Sequence, residues 1–534
     1  MDNWDYIIVG AGSAGCVLAN RLSENPANKV LLLEAGVKDN TPMLRIPAAM
    51  SRTILNPDYD WCYPVEADES RAGRPDLWPS GKVLGGSSTI NGLFYTRGQP
   101  QDFDRWYELG NVGWSYQEVE PYFKRIENSE TGTEASRGKS GPLHVSNLRE
   151  IHPLSKVFVD AVHECGVPYY DDYNTSNASG VALVQVTQKN GRRWSAANAY
   201  LHPVKNRRNL KIETDAICQR LMFEANQCTG VEYIKAGKTI SVFANKEVIL
   251  SAGAIGSPKV LMLSGIGASD ELNELGIDVV SDLPGVGENL QEHPNVQVGT
   301  YVNTDTYNID ARSPLRMAKH LLQWLVTGSG PATSPYSQAA TFYNSDDLKG
   351  RPDLEILFAP HLFEFTDSGP KPAARSAVNA VISLCRPGSR GKVSLSSVDP
   401  AESPKIEYDI LSEAADIELL IEGCKMARKI FSTTKFAPFV EGETVPGADV
   451  TDDDALEAFL RENVFGGNHL VGTCKMGVDQ EAVVTPQLNV KGVTNLRVVD
   501  ASVMPEIISA HTNAATLMIA EKASDLILST GDKA

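Results

Sequence analysis

The chain has eight cysteines, Cys16, Cys62, Cys165, Cys218, Cys228, Cys385, Cys424 and Cys474, but no Cys-x-x-Cys pair. That excludes a disulfide mini-protein, a c-type haem attachment and the usual zinc spacings. Reduced, mostly buried thiols are expected. No stretch approaches the ~18 uninterrupted apolar residues needed to cross a bilayer, which leaves only peripheral membrane contact. Basic residues are short: 49 Lys and Arg stand against 67 Asp and Glu, for a formal charge of −18. Such a surface repels phosphate backbones and anionic lipid, so nucleic acid is not an expected partner. The opening Met1-Asp2-Asn3-Trp4-Asp5 lacks a basic leader, and Ile7-Ile8-Val9 is too short for a signal core, so a cytoplasmic protein is expected. Repeats and low-complexity tracts are also missing, which excludes solenoids and propellers.

What is present is ordinary globular chemistry, 42% hydrophobic and 22% charged over 534 residues. At roughly 150 residues per domain this is about three domains' worth of chain, or two large interleaved domains. Asp5 to Val9 reads as a strand, Gly10 to Gly15 as a glycine-rich turn, Cys16 to Leu22 as a helix and Lys29 to Leu33 as a second strand ending in Glu34, a βαβ opening. From Pro352 the pattern alternates through Leu354, Ile356 and Phe358, the period of antiparallel strands with one wet face. Ser313-Pro314, then Leu315, Ala318, Leu321, Leu322 and Leu325, then Gly328, predicts a capped helix whose apolar stripe is core, with a membrane-facing or partner-facing helix as the alternative. A second helix is expected to start at Thr451, and a closing helix over Ala515 to Ile527 to return to the first domain. Thr131 to Pro142 reads as an exposed excursion, and the pairs Arg192-Arg193 and Arg207-Arg208 as solvated turns.

Two constellations carry chemistry. In Gly10-Ala11-Gly12-Ser13-Ala14-Gly15, the first glycine permits a tight turn, the second lets a pyrophosphate approach the backbone, and the third allows close helix packing. Phosphate then meets the helix N-terminus, and Glu34 suits the ribose hydroxyls of an adenosine. NAD and FAD are equally compatible with this site. The second constellation is Gly81-Lys82-Val83-Leu84-Gly85-Gly86-Ser87-Ser88-Thr89-Ile90-Asn91-Gly92. Here the chain resembles the glucose-methanol-choline (GMC) oxidoreductases, FAD enzymes that oxidise alcohols. Their second signature is matched by Gly253 to Gly267, and the likeness continues at Gly287 to His293, His469 to Gly477 and Val498 to Ser502.

The resemblance implies an α/β plus α+β fold: a Rossmann-type FAD-binding domain (1–150, 203–296, 480–534) interleaved with a substrate domain on a mainly antiparallel sheet (151–202, 297–479). It places Gly10, Gly12, Ser13, Ala14, Gly15, Glu34, Ala35, Gly81, Val83, Gly85, Gly86, Ser88, Asn91, Gly92, Asp500, Ala501 and Asn513 around FAD, with Ile217 near the adenine. Some relatives tether FAD through a histidine just before the position of Asn91. Ile90 stands there, so FAD is expected without a covalent bond.

Hydride abstraction from an alcohol needs a base for the hydroxyl proton, a role that suits a histidine near its unperturbed pKa. Of nine histidines, His469 is singled out by its resemblance to the family's active-site segment, with Asn513 as second polar partner and His511 as the competing candidate. Two positions depart from the family pattern, Leu470 and Ala515, where many relatives carry proline. A flavin-containing lyase or decarboxylase, and a non-catalytic flavoprotein, are the alternatives. Around the substrate, Phe363 and Phe365 fit an apolar alcohol or plain core, and Glu364 fits a cationic alcohol such as choline or a surface carboxylate. No haem or iron–sulfur ligands occur, so electrons leave to an external acceptor: oxygen, a quinone or a carrier protein.

Overall fold

A computed structural model describes residues 3–175, 178–366 and 369–531. The β-branched strand Asn3–Val9 lies parallel between Val30–Leu33 and the long strand Lys238–Leu250. Leu210–Glu213 extends this sheet on one side, and the antiparallel strands Gln227–Lys235 and Ile217–Glu224 extend it on the other. Its central residues, Ile7, Ile8, Leu31 and Leu32, are buried, as a parallel sheet covered on both faces requires. The chain's end returns here. Leu496–Val498 pairs in parallel with Val248 to Leu250, and helix Asn513–Gly531 packs on helix Ser13–Leu22. Arg21 pairs with the buried Glu521 at 2.7 Å, which also takes the Tyr200 hydroxyl at 2.8 Å.

A second seven-stranded sheet is antiparallel throughout, in the order Val440–Val445, Pro294–Val302, Ala377–Leu384, Leu354–Ala359, Ala339–Tyr343 and Gly180–Leu183, with Phe465–Gly466 beside Pro294. Helix Ala414–Phe431 covers it with Ile417, Leu420, Ile421, Cys424 and Ala427. The expected wet face does not exist on Leu354–Ala359. All six residues are buried, Glu355 included.

Four other expectations are corrected. Helix Pro314–Thr327 forms with the expected cap, the Ser313 side chain accepting from the Arg316 amide, and stops at a left-handed Gly328. Its leucine stripe, however, faces outward: Leu315 is 81% exposed, Leu322 62%, Leu325 61% and Val326 75%. The helix docks instead through Trp324, whose indole N–H donates to the Gly191 carbonyl at 2.7 Å. The second helix is Asp453–Asn463, capped by Asp452 rather than Thr451, because a carboxylate at that position reaches the Ala455 amide. Within the supposed excursion, Arg137 is buried against Glu127 and Asp172. Arg193 is buried as well, for a reason local to its hairpin. Asn190 (φ 54) and Gly191 (φ 71) make a two-residue turn between Gln188–Lys189 and Arg192–Arg193, so alternation turns Arg192 outward and Arg193 inward. Among the described residues no helix is long and apolar enough to cross a membrane.

Candidate active site

The glycine turn closes around the strand end that follows it. Gly10 has φ +99, and a Cβ there would lie 2.4 Å from the Ser251 carbonyl oxygen; at Gly15 it would lie 1.9 Å from the Gly10 oxygen. Gly12 is different: a Cβ would meet nothing nearer than 3.9 Å, so its bareness serves the open side of the turn. Gly12 caps helix Ser13–Leu22 with no side-chain bond and no acid in the first turn, leaving amide hydrogens for an anion. Ser13 Oγ donates to Asn513 Oδ1 at 2.7 Å, so the positive ends of two helices meet at one place.

The second motif forms the facing wall. The Gly85 amide donates to the Ala11 carbonyl at 2.8 Å, and the Leu84 amide to Val37 at 3.0 Å. A Cβ at Gly81 would strike Gly86, and one at Gly86 would lie 2.7 Å from Gly12 Cα. Val83 is buried beside Val37, the Ser88 hydroxyl accepts from the Ala196 amide at 3.0 Å, and Gly92 faces Tyr336. Glu34 is buried and braces the turn, accepting from the Ala11 and Gly36 amides at 2.8 Å each across Ala35; burial pushes its carboxyl up to about 7. Each of its oxygens keeps a lone pair for a hydroxyl donor. Ile217 begins its strand next to Ala216, whose amide donates to the Glu34 carbonyl. Asp500 spends both carboxylate oxygens on Gly253, Ser257 and Ser502, so what it and Ala501 offer outward is backbone.

Apart from this turn, three imidazoles form a chain. His293 Nε2 lies 3.0 Å from the Ile508 carbonyl oxygen, His293 Nδ1 lies 2.9 Å from His469 Nδ1, and His469 Nε2 lies 2.9 Å from His511 Nδ1. The local backbone presents this chain. Asn468 adopts φ 66, a Cβ at Gly467 would lie 3.1 Å from His469 Nδ1, and buried Glu292 accepts from the His293 and His469 amides at 2.7 and 2.8 Å. Burial pushes the Glu292 carboxyl up to about 8. Burial, then the charge of His511, pulls His293 down to about 3; burial, then His511 and His293, holds His469 well below its usual 6.5.

The proton positions follow. A carbonyl only accepts, so His293 donates from Nε2 and, being neutral, presents a bare Nδ1. His469 must donate to it from Nδ1. A neutral His469 therefore has a lone pair on Nε2. In the structure that lone pair accepts from His511 Nδ1, which leaves a neutral His511 no hydrogen for its Nε2. That atom lies 3.4 Å from Glu355 Oε1, and neither has a hydrogen-bond partner.

The partner brought to His469 is thus His511, the competing candidate, whereas Asn513 is joined to Ser13 in the glycine turn. His293, Glu292, Glu355 and Arg193 were not assigned roles from sequence. Arg193 donates to Asn91 Oδ1 at 2.8 Å and, among the described residues, no carboxylate pairs with it; burial alone pulls its guanidinium down to about 9. The Asn190-Gly191 turn was the signal that would have placed it. Beside His511, Phe94 meets the ring edge-on at 4.6 Å and belongs to a buried apolar cluster with Leu93, Leu357, Val381 and Ala510, while the buried Glu355 carboxylate faces Nε2. Phe363 stands against His361 at 5.2 Å, while the side chains of Glu364 and Phe365 lie outside the described residues.

The GMC oxidoreductase family matches at residues 4–295 and 387–520. The chain belongs to the GMC oxidoreductases. It is 41% identical over 535 residues to the mitochondrial choline dehydrogenase of Homo sapiens, covering 98% of this chain and 90% of that one. It is 40% identical over 535 residues to the alcohol dehydrogenase (acceptor) of Pseudomonas putida, covering 99% and 97%. The crystal structure of pyridoxine 4-oxidase from Mesorbium loti superposes with a TM-score of 0.89 at 32% identity, covering 98% of this chain and 99% of that one. As a GMC enzyme the protein is an oxidoreductase whose two-part architecture, one mixed parallel sheet and one antiparallel sheet, is the family's own.

Proposed function

We propose that this GMC enzyme oxidises an alcohol CH–OH group to an aldehyde or ketone with His469 Nε2 as the base for the hydroxyl proton. The observation that carries this reading is the one-way hydrogen-bond chain from the Ile508 carbonyl through His293, which leaves the His469 lone pair on the nitrogen turned away from His293. FAD, when bound, supplies the acceptor for the carbon-bound hydride. The residues that hold it are those of the cradle: the bare backbone of Gly10 to Gly15, the amide hydrogens at Ser13 and Asn513, Glu34 with Ala35, and the wall from Gly81 to Gly92. The open side of Gly12, the uncapped start of helix Ser13–Leu22 and the start of helix Asn513–Gly531 beside it fit an anionic dinucleotide.

Ile90, buried and without a nucleophilic atom, supports FAD held non-covalently. Arg193 fixes the Asn91 side chain at the cradle's inner edge. The His511 Nδ1–H that donates to His469 Nε2 is the donor a substrate oxygen seated between the two rings would take, the role first expected of Asn513. The apolar cluster at Phe94 supports an alcohol with an alkyl or aromatic body, and the buried Glu355 carboxylate beside His511 supports a cationic one such as choline. The chain's alcohol-oxidising relatives support the reaction class, and the electrons pass to an external acceptor, oxygen, a quinone or a carrier protein.

The test is anaerobic mixing of the FAD-loaded protein with a panel of alkanols, benzylic alcohols and choline while flavin absorbance is followed. Bleaching with formation of one carbonyl product per flavin is expected, and admission of air then reports on oxygen as acceptor. A flavin that stays oxidised with every alcohol overturns the proposal; product formed with no bleaching and no acceptor consumed assigns a lyase.

A further inference from the structure

Helix Pro314–Thr327 presents an apolar stripe that no other described residue covers. Leu315, Ala318, Leu322, Leu325 and Val326, spaced i, i+3, i+7, i+10 and i+11, share its outer face, and all are exposed. Among the described residues, five of the thirteen exposed large hydrophobics lie on this one helix, with Leu321 as the fifth, so this is a patch rather than scattered surface. The helix is anchored from the opposite side, by the Trp324 bond to Gly191 and the Arg192 guanidinium 5.3 Å over the Trp324 ring.

The charge around this face is opposite to that of the whole chain. The helix contains no acid and carries exposed Arg316 and Lys319, with Arg312 just before it. The hairpin under it adds exposed Lys189 and Arg192. The segment 42–52, which touches Pro331–Thr333 behind the helix, adds exposed Arg45 and Arg52 and no acid. Of the acids beside it, Asp305 and Asp310 are both engaged by Arg316, at 3.0 and 3.3 Å, and the half-buried Glu150 lies near His320. A basic, leucine-rich helix on a protein of net charge −18 complements one occupant in particular.

We propose that this helix lies in the surface of an anionic lipid bilayer, its leucine face in the acyl boundary and its Arg and Lys flank among the headgroups. The expectation that the acidic chain repels such surfaces then fails locally, because the repelling charges lie elsewhere. The hairpin that supports the helix through Gly191 and Arg192 also carries Arg193 to Asn91, so docking brings the cofactor cradle close to the bilayer, where an alkyl alcohol partitions. That last step rests on the proposed alcohol oxidation; the docking does not.

The test is co-sedimentation of the full-length, FAD-loaded protein with phosphatidylcholine vesicles and with phosphatidylcholine–phosphatidylglycerol vesicles. Sedimentation with the anionic vesicles is expected, weakened at least about tenfold by high salt or by omission of phosphatidylglycerol. The variant Leu322→Glu/Val326→Glu, altered only at exposed positions, should stay in the supernatant while flavin reduction by alcohol is unchanged. Arg312→Glu/Lys319→Glu should lose anionic binding with the leucine face intact. Wild type that stays in the supernatant with both vesicles overturns the proposal, as do variants that sediment like wild type. A wild-type dimer converted to monomer by Leu322→Glu/Val326→Glu also overturns it, by showing that a second copy covers the face.

Discussion

Two buried clusters of ionisable groups sit in this molecule, and they are built on opposite principles. In the first, Arg97 grips Glu127 at 2.6 and 2.8 Å, Arg137 meets the same carboxylate at 2.7 Å, and Asp172 takes Arg137 at 2.8 Å. Burial alone would push Glu127 up, but the two guanidinium groups overcome it and hold the carboxyl below its ordinary 4.5. In the second, three imidazoles stand in line, and His511 Nε2 faces Glu355 Oε1 at 3.4 Å, an ion pair only when the imidazole carries a second proton. The first cluster spends its charge on holding the chain together. The second sets imidazoles and a carboxylate against one another without a permanent cation, a cost that stability alone does not explain.

Exchanging the roles of the two clusters by mutation tests this contrast. The largest effect on rate is expected from His469→Ala, which should slow flavin reduction by alcohol about 100- to 10,000-fold in stopped flow while the urea midpoint barely moves. An unaltered reduction rate would pass the base role to another group. Glu127→Ala should do the reverse, lowering unfolding free energy by about 3–5 kcal/mol in urea titration, because two guanidinium groups lose their counter-charge. The reduction rate per folded molecule should hold, and a collapse of that rate would erase the distinction between the clusters.

The pH profile gives a third contrast. A base works when unprotonated, and the folded His469 pKa is depressed, so the reduction rate should stay flat as pH falls through 6.5 and decline only well below it. A decline centred near 6.5 in the wild type would mean that the titrating imidazole is not the buried one. The smallest effect is expected from Glu355→Gln. Its amide can donate to the bare His511 Nε2, which should raise stability by about 1–3 kcal/mol and lower the reduction rate by about tenfold or less. A loss of stability would show that the carboxylate is paired in solution.

What could be read in the sequence divides along physical lines. Gly10 to Gly15 and Glu34 were legible because the turn, the helix start and the strand end are local, each fixed by a few neighbouring residues. His469 was singled out through the GMC-like segment around it, and its role as base is what the His469→Ala measurement decides. Its partner was not legible, because whether His511 or Asn513 turns toward it depends on the path of the segment 505–512, set by distant contacts such as the Ser509 amide to Asp102 at 2.9 Å. Periodicity placed the leucines of 315–325 on one face, and Leu354, Ile356 and Phe358 on another, both correctly. It did not say which face meets water: the leucine stripe points out and Glu355 points in. Period sets which side chains travel together, and tertiary packing sets where they go.

The bond between Ser13 and Asn513 joins positions 500 residues apart. Domains tend to fold from the N-terminus as synthesis proceeds, so the pyrophosphate turn takes shape long before its other half exists. On the proposed reading of the cradle, cutting the chain before Asn513 removes the helix start that completes the turn, so the truncated protein should purify with less bound flavin than the intact one.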